Sequence, residues 1–410
     1  MQDVLPRVHS KHSNRMFLIL ILSLPVAEAL RGIVREVVDR GILTPDTFGR
    51  LTYSSSYQFS NWVTIVETVT QTILILMLGF RSFGLRRGED KRNSILQISL
   101  PASIMLSLTL NLSNWQWQRS LQVFMFCLLI VFVKSSDVVK IDFHKILNAY
   151  FLIFIFSVLY TFAFPRYSLS ACKSQKCSFL GSLNTSFYPH EQGYSLFLIV
   201  LIGLLIGVHR KLYSIKIFFI VIVLISTGSR TGLIAYALMV IFFLTQKFNL
   251  MGLILKSFVS ISILLLLFSP GSTLTGRGQI YEFIRNYWGE LVIAGGGMNF
   301  INDKFWGGTS LSFLPYHEHG VIPTSFARFG LVATVLFAIA ISHSTYRLSG
   351  EWIKPVVVGV SCFGITEASM YPSFQNPAAW VVALIILNYL STGNYNSVRS
   401  QSSNLKSRFA

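Results

Sequence analysis

Long apolar runs separated by short polar breaks fill most of this chain. Runs of about 15–20 residues are long enough to cross the hydrocarbon core of a bilayer as helices. They predict twelve spans, near 16–34, 61–80, 94–112, 116–133, 148–164, 193–208, 212–227, 231–245, 250–269, 329–345, 354–371 and 377–391. The polar breaks are uneven. Residues 270–328 form one segment of 59 residues, a length that usually serves function in a compact protein. Within it Ile280, Phe283, Ile284 and Trp288 recur at helical spacing, ahead of Gly295, Gly296 and Gly297. That predicts an amphipathic helix at one membrane face, ended by the glycines.

Composition agrees with the pattern. Of 410 residues, 52% are hydrophobic and only 12% charged, against about 25% charged in soluble domains. A net charge of +17 would suggest nucleic acid in a soluble protein, but its distribution says otherwise. If tail 1–15 is cytoplasmic, segments 81–93, 134–147, 209–216, 246–249, 346–354 and 392–410 share its side. Together they hold 20 of the 34 Lys and Arg residues. The opposite segments, 35–60, 113–115, 165–192, 228–230, 270–328 and 372–376, are longer in total and hold 11. This is the positive-inside bias, so the bilayer rather than nucleic acid is the expected partner. The run starting near Met16 has no small-residue cleavage site and reads as a first span rather than a signal peptide. The expectation is an all-α polytopic membrane protein of about twelve transmembrane helices. It forms one domain over 1–410 with both termini cytoplasmic, and 270–328 is its large, partly helical extracytoplasmic loop.

Charged residues are informative in such a chain, because a guanidinium at mid-bilayer costs roughly 2.5–3.5 kcal/mol or more. Arg230, in "STGSRTGL", falls at the outer end of two short runs, and Arg277, in "LTGRGQIY", lies between glycines just after another. Snorkelling to headgroups would explain either one alone. Together at one face, two planar and permanently charged forks could clamp a lipid-linked diphosphate. On the same side lie His190, His317 and His319. A neutral imidazole there could accept a proton from an attacking hydroxyl, while "HEH" could equally be a surface pair. Its spacing lacks further ligands, so no metal or other cofactor is expected. Glu28, Glu67 and Glu367 fall in the outer halves of their spans; they either pair with arginines at that depth or line a polar cavity. Cys172 and Cys177, in "CKSQKC", suit a local disulfide on an outer loop. Cys127 and Cys362 read as packing residues.

Several of these stretches resemble the O-antigen polymerase and O-antigen ligase superfamily of membrane glycosyltransferases. "STGSRTGLIAYALMVIFFL" resembles the Ser-Arg-Thr/Gly stretch that opens one of its spans. "LTGRGQIYEFIRNYW" is similar to the Gly-Arg segment beginning its large periplasmic loop, and "AGGGMNF" to a degraded form of the glycine-rich turn that follows. "HEHGVIPTSFARFG" resembles the His-x-His-Asn segment closing the loop, and "GSLNTSFYPHEQGYSLFL" the stretch before the sixth span. The resemblance covers roughly 178–345. Two positions depart from it: Gly320 stands in place of the usual Asn, and Arg328 in place of an acidic or neutral residue.

The resemblance implies a GT-C-like plan and metal-independent, inverting glycosyl transfer at the outer face of the bacterial cytoplasmic membrane. The donor would be a glycan carried on undecaprenyl diphosphate. Arg230 and Arg277 would hold the diphosphate as it departs. His319 would be the base, with His317 as substitute or orienting partner. A polymerase that joins repeat units into O-antigen or extracellular polysaccharide is the first expectation, with a flippase and a chain-length regulator as partners. A ligase transferring the glycan to lipid A core is the alternative. A transporter of the same lipid-linked sugar, such as a flippase, is the reading from another class, and a structural partner in capsule assembly is a further one.

Overall fold

A computed structural model describes residues 16, 18–30, 43–45, 51–53, 58–83, 91–114, 117–132, 143–171, 178, 181–188, 191–209, 211–212, 214–245, 250–270, 277–297, 300, 304, 320–344, 353–366 and 381. The described chain is mostly helical. Among the described residues three helices are long and apolar enough to cross a membrane: Phe143–Ala163, Glu191–His209 and Val321–Ile341. Shorter apolar helices stand at the other expected positions between Leu18 and Ile365. Of the last expected span, 377–391, only Val381 is described.

In chain order the helices are α1 (Leu18–Leu30), α2 (Gln58–Phe83), α3 (Lys91–Leu110), α4 (Trp117–Phe132), α5 (Phe143–Ala163) and α6 (Glu191–His209). They continue with α7 (Ile215–Ser226), α8 (Arg230–Leu244), α9 (Leu250–Phe268), α10 (Arg277–Asn286), α11 (Val321–Ser344) and α12 (Lys354–Thr366). Two small antiparallel hairpins interrupt them: β1 (Leu43–Pro45) pairs with β2 (Leu51–Tyr53), and β3 (Leu169–Ala171) with β4 (Ser182–Asn184).

α6 is the centre of the bundle. It is apolar all round and buried without interruption from Tyr194 to Gly207, and it packs against α5, α7, α8 and α12. Its partners come close because glycines let them. A Cβ at Gly203 would lie 2.7 Å from the Val356 backbone, and one at Gly359 would lie 2.7 Å from Ile199 and 2.8 Å from the Met239 sulfur. These pairings run α12 antiparallel to α6. Gly232, whose Cβ would meet Ser195 at 3.2 Å, aligns α8 parallel to it. The outer helices do the reverse. Only 33% of the most apolar stretch of α5 is buried, and Leu152, Leu159 and Phe162 face outward. Apolar surface on that scale exceeds what a soluble monomer exposes and marks the chain as membrane-associated.

One expected boundary is corrected. The run expected from residue 329 begins as helix at Val321, and residues 320–330 are buried on every side. The reason is a break that the apolar pattern hides. Gly330 has φ 82 and ψ −177 inside α11, a conformation essentially restricted to glycine. The segment after the short helix Trp288–Leu291 fills that break. Leu331 N donates to Val292 O at 2.9 Å, and Gly296 N to Ala327 O at 2.8 Å. From α3, Ser107 Oγ bonds Arg328 O at 3.0 Å and also Ala294 O. Asn111 Nδ2 donates to Ala294 O at 3.2 Å and Gly295 O at 3.1 Å. Irregular backbone survives in an apolar bundle only when its polar groups are met in this way.

Candidate functional site

The turn "STGS" between α7 and α8 is built from its side chains. Gly228 takes φ 64 to reverse the chain. Ser229 caps α8, its Oγ accepting from Gly232 N at 3.1 Å and donating to Gln192 Oε1 at 2.7 Å. Thr227 Oγ1 accepts from Ser229 N at 3.2 Å and lies 3.2 Å from Ser195 Oγ of α6. The stretch after β4 locks onto the same turn. Asn184 Nδ2 donates to Ser226 Oγ at 3.1 Å, while its Oδ1 accepts from Ser186 N at 3.0 Å. Ser186 is held at φ 50, unusual for a residue with a side chain, by its Oγ bond to Ser157 O at 2.8 Å. Every one of these hydroxyls and amides is buried except Gln192, which is half-buried.

This network fixes where Arg230 stands. It is the first residue of α8 and is exposed, so it sits at a helix N-terminus rather than within a span. The helix dipole favours anions at that position; a cation there adds nothing to helix stability, while the backbone N–H groups beside it suit an anionic ligand. Because α6 and α8 are parallel, the N-terminus of α6 with buried Glu191 lies at the same end.

The start of α11 arrives there too. A Cβ at Gly320, φ 87, would lie 2.8 Å from Ile365 O near the end of α12 and 3.3 Å from the Tyr281 hydroxyl in α10. α12 is antiparallel to α6, so its end is the α6 N-terminal end. Four elements therefore meet at one end of the bundle: the beginnings of α6, α8 and α11, and the end of α12. α10 lies beside them, with its first residue Arg277 four positions before Tyr281. α10 itself is amphipathic, with Ile280 and Ile284 buried. Arg285 at its end donates to Leu266 O at 2.7 Å and Ser269 O at 2.8 Å, satisfying the last carbonyls of α9.

Other candidate residues fall elsewhere or outside the description. His190, His317, His319, Glu367, Cys172, Cys177 and the side chain of Arg277 lie outside the described residues. Glu28 is half-buried in α1, and Glu67 is buried in α2, where its Oε1 accepts from Gln71 Nε2 at 3.2 Å. Gln71 Nε2 also donates to Ser23 Oγ at 3.2 Å, which joins α2 to α1. α2 packs on α4, whereas the helix of Arg230 packs on α6 and α12.

Three further polar residues gain a role in three dimensions. Ser107 and Asn111, one turn apart at the end of an apolar run, hold the glycine segment to α11, and that spacing was their signal. Arg328 is the largest fully buried side chain among the described residues; it lies within α11 rather than in the long loop where the apolar pattern put it. No protein-family model matches the chain, and no curated protein matches it.

Proposed function

We propose that the chain is an integral membrane glycosyltransferase of about twelve spans and GT-C-like plan. It polymerises undecaprenyl-diphosphate-linked repeat units into O-antigen or extracellular polysaccharide at the outer face of the cytoplasmic membrane. In the reaction, an acceptor hydroxyl oxygen attacks the anomeric carbon of the donor. The bond from that carbon to the diphosphate breaks with inversion, and the diphosphate leaves with the electron pair. Arg230 and Arg277 bind the departing charge, and His319 takes the acceptor proton.

The observation supporting this reading is the shared end of the bundle. Three helix N-termini, each equivalent to roughly half a positive charge, meet there beside Arg230 at the head of α8, and Gly320, the residue after His319, packs against Tyr281 of the helix that Arg277 begins. That is suitable ground for a lipid-linked diphosphate.

The deciding experiment is a cell lacking this protein, scored for surface glycan length and for its lipid-linked intermediates. Single repeat units on lipid A core are expected. Long chains accumulating on the carrier lipid would make the protein a ligase. Carrier-linked repeats trapped inside the cell would make it a flippase and overturn the transferase reading.

A further inference from the structure

Most hydroxyls in this bundle bond a carbonyl about one turn back on their own helix. Ser157 reaches Phe154 O, Ser195 reaches Glu191 O, Thr324 reaches Gly320 O and Thr334 reaches Gly330 O. Three fully buried serines do otherwise. The Oγ atoms of Ser262 in α9, Ser325 in α11 and Ser361 in α12 have no hydrogen-bond partner, and the residues are 1%, 1% and 0% exposed. A helical serine can ordinarily satisfy itself by rotating toward its own backbone, so these three are turned toward something else.

Their helices pack on one another, and the three positions face a common junction. In α12, Gly359 faces α6 and α8 through Ile199 and Met239. Ser361 lies about 200° further round at 100° per residue, on the side away from α6 and α8. In α11, Phe326 and Ala327 join the smaller apolar cluster with α10. Ser325 instead lies between Val321 and Phe329, which join the main core with α12. In α9, Ser262 sits at the centre of the buried face, between Phe258 and Leu266.

The depths of Ser325 and Ser361 agree as well. Gly320 meets Ile365, and the two helices are antiparallel. Ser325 and Ser361 therefore lie about 7.5 Å and about 6 Å from that contact in the same direction, at 1.5 Å per residue. Ser262 comes from α9, which packs on both of their helices.

We propose that Ser262, Ser325 and Ser361 line a buried water site at the junction of α9, α11 and α12. None of the three hydroxyls bonds another, and each can donate and accept. Water has the size and the two-way chemistry to bridge them, and a buried water takes two to four polar partners of this kind. The site places water between three apolar helices, one to two turns under the end where Arg230 and Gly320 lie. It stands on packing alone and holds whether or not the protein transfers sugars.

Hydroxyl-radical footprinting by pulsed X-ray radiolysis of the whole protein in lipid nanodiscs tests it, since radicals form where water sits. Phe258 and Phe329 are one turn from Ser262 and Ser325 and 1% exposed; Phe197, in the aromatic stack of α6, is 0% exposed. Phe258 and Phe329 should take up oxygen several-fold faster than Phe197. After brief mixing with heavy-oxygen water they should still carry the light isotope, because bound water exchanges slowly. The variant carrying Ser262→Ala, Ser325→Ala and Ser361→Ala should fall to the Phe197 rate. If that variant does not fold, the three single variants are read in the same way. Equal labelling of the three phenylalanines in the native protein, or labelling that ignores the serine changes, overturns the water site.

Discussion

At the scale of single residues, the two kinds of glycine in the 289–297 stretch make opposite predictions. Gly295 has φ 67, and a Cβ there would lie 2.4 Å from the Arg328 backbone. Gly295→Ala should destabilise the protein by more than about 2 kcal/mol, since strain and a backbone overlap add. Gly289 has an ordinary φ and nothing within 4 Å of its would-be Cβ, so Gly289→Ala should be neutral or slightly stabilising. Thermal melts of the two variants in one detergent check both. Arg230 separates stability from activity. It is exposed at the head of α8, so Arg230→Lys should leave the melting temperature unchanged. Polymerisation should fall about 10²-fold, the loss expected when a fixed donor to a developing anion is removed, because a point charge does not reproduce the guanidinium fork. Full activity in Arg230→Lys, read with purified lipid-linked donor, would rule out the clamp. The corresponding loss for His319→Ala is about 10²–10⁴-fold, with donor binding kept.

At the scale of elements, the broken helix α11 depends on α3. Ser107 and Asn111 between them bond Ala294, Gly295 and Arg328 carbonyls. Asn111→Ala removes the side-chain donor to the buried Gly295 carbonyl, leaves Ala294 O only its Ser107 bond, and should cost about 1–3 kcal/mol. Hydrogen exchange should then rise at Leu331 and Gly296, whose N–H groups close the joint, while α6 keeps its protection; equal loosening of α6 would mean that α3 supports the whole core instead. This joint shows where sequence reading ran out. Helix positions were legible because an apolar run of bilayer length leaves the backbone few choices. The helix at Arg277–Asn286 was legible from Ile280, Phe283 and Ile284 at helical spacing. The start of α11 was not, because Val321–Phe329 carries Thr324, Ser325 and Arg328 yet is buried, and hydropathy alone assigns such a mixture to a loop. The three glycines were expected to end that helix, but it stops at Asn286 and a separate short helix, Trp288–Leu291, precedes them; that the glycines pack against another helix's backbone depends on contacts distant in sequence. The exposed place of Arg230 follows from Ser229 and Gly228, which are readable as a cap and a reversal. That α2 packs on α4 while α8 packs on α6 and α12 is encoded by no local pattern.

At the scale of the whole molecule, the question is which side of the membrane the polar end faces. The starts of α6, α8 and α11 and the end of α12 share one end. The distribution of Lys and Arg predicts that this end faces outside, because the connections expected at the other end carry the excess of positive charge. These are independent lines of reasoning, one from packing and one from the charge bias of insertion, and the proposed chemistry needs both. On the proposed reading a donor delivered by a flippase would reach the protein at the outer leaflet, so arginines facing the cytosol would meet no polymerisable substrate. Fusing alkaline phosphatase, which folds only after export, tests this directly. Fusions placed in the turn after Thr227 and next to Gly320 should be active, and a fusion in the connection between α8 and α9 should be silent. Washing membranes with alkaline carbonate should leave the native protein in the pellet, as spans through the bilayer require. Active phosphatase between α8 and α9 with silence at Thr227 would invert the molecule. The packing of the helices would survive that result, but Arg230 would lie on the wrong side of the membrane for the transferase.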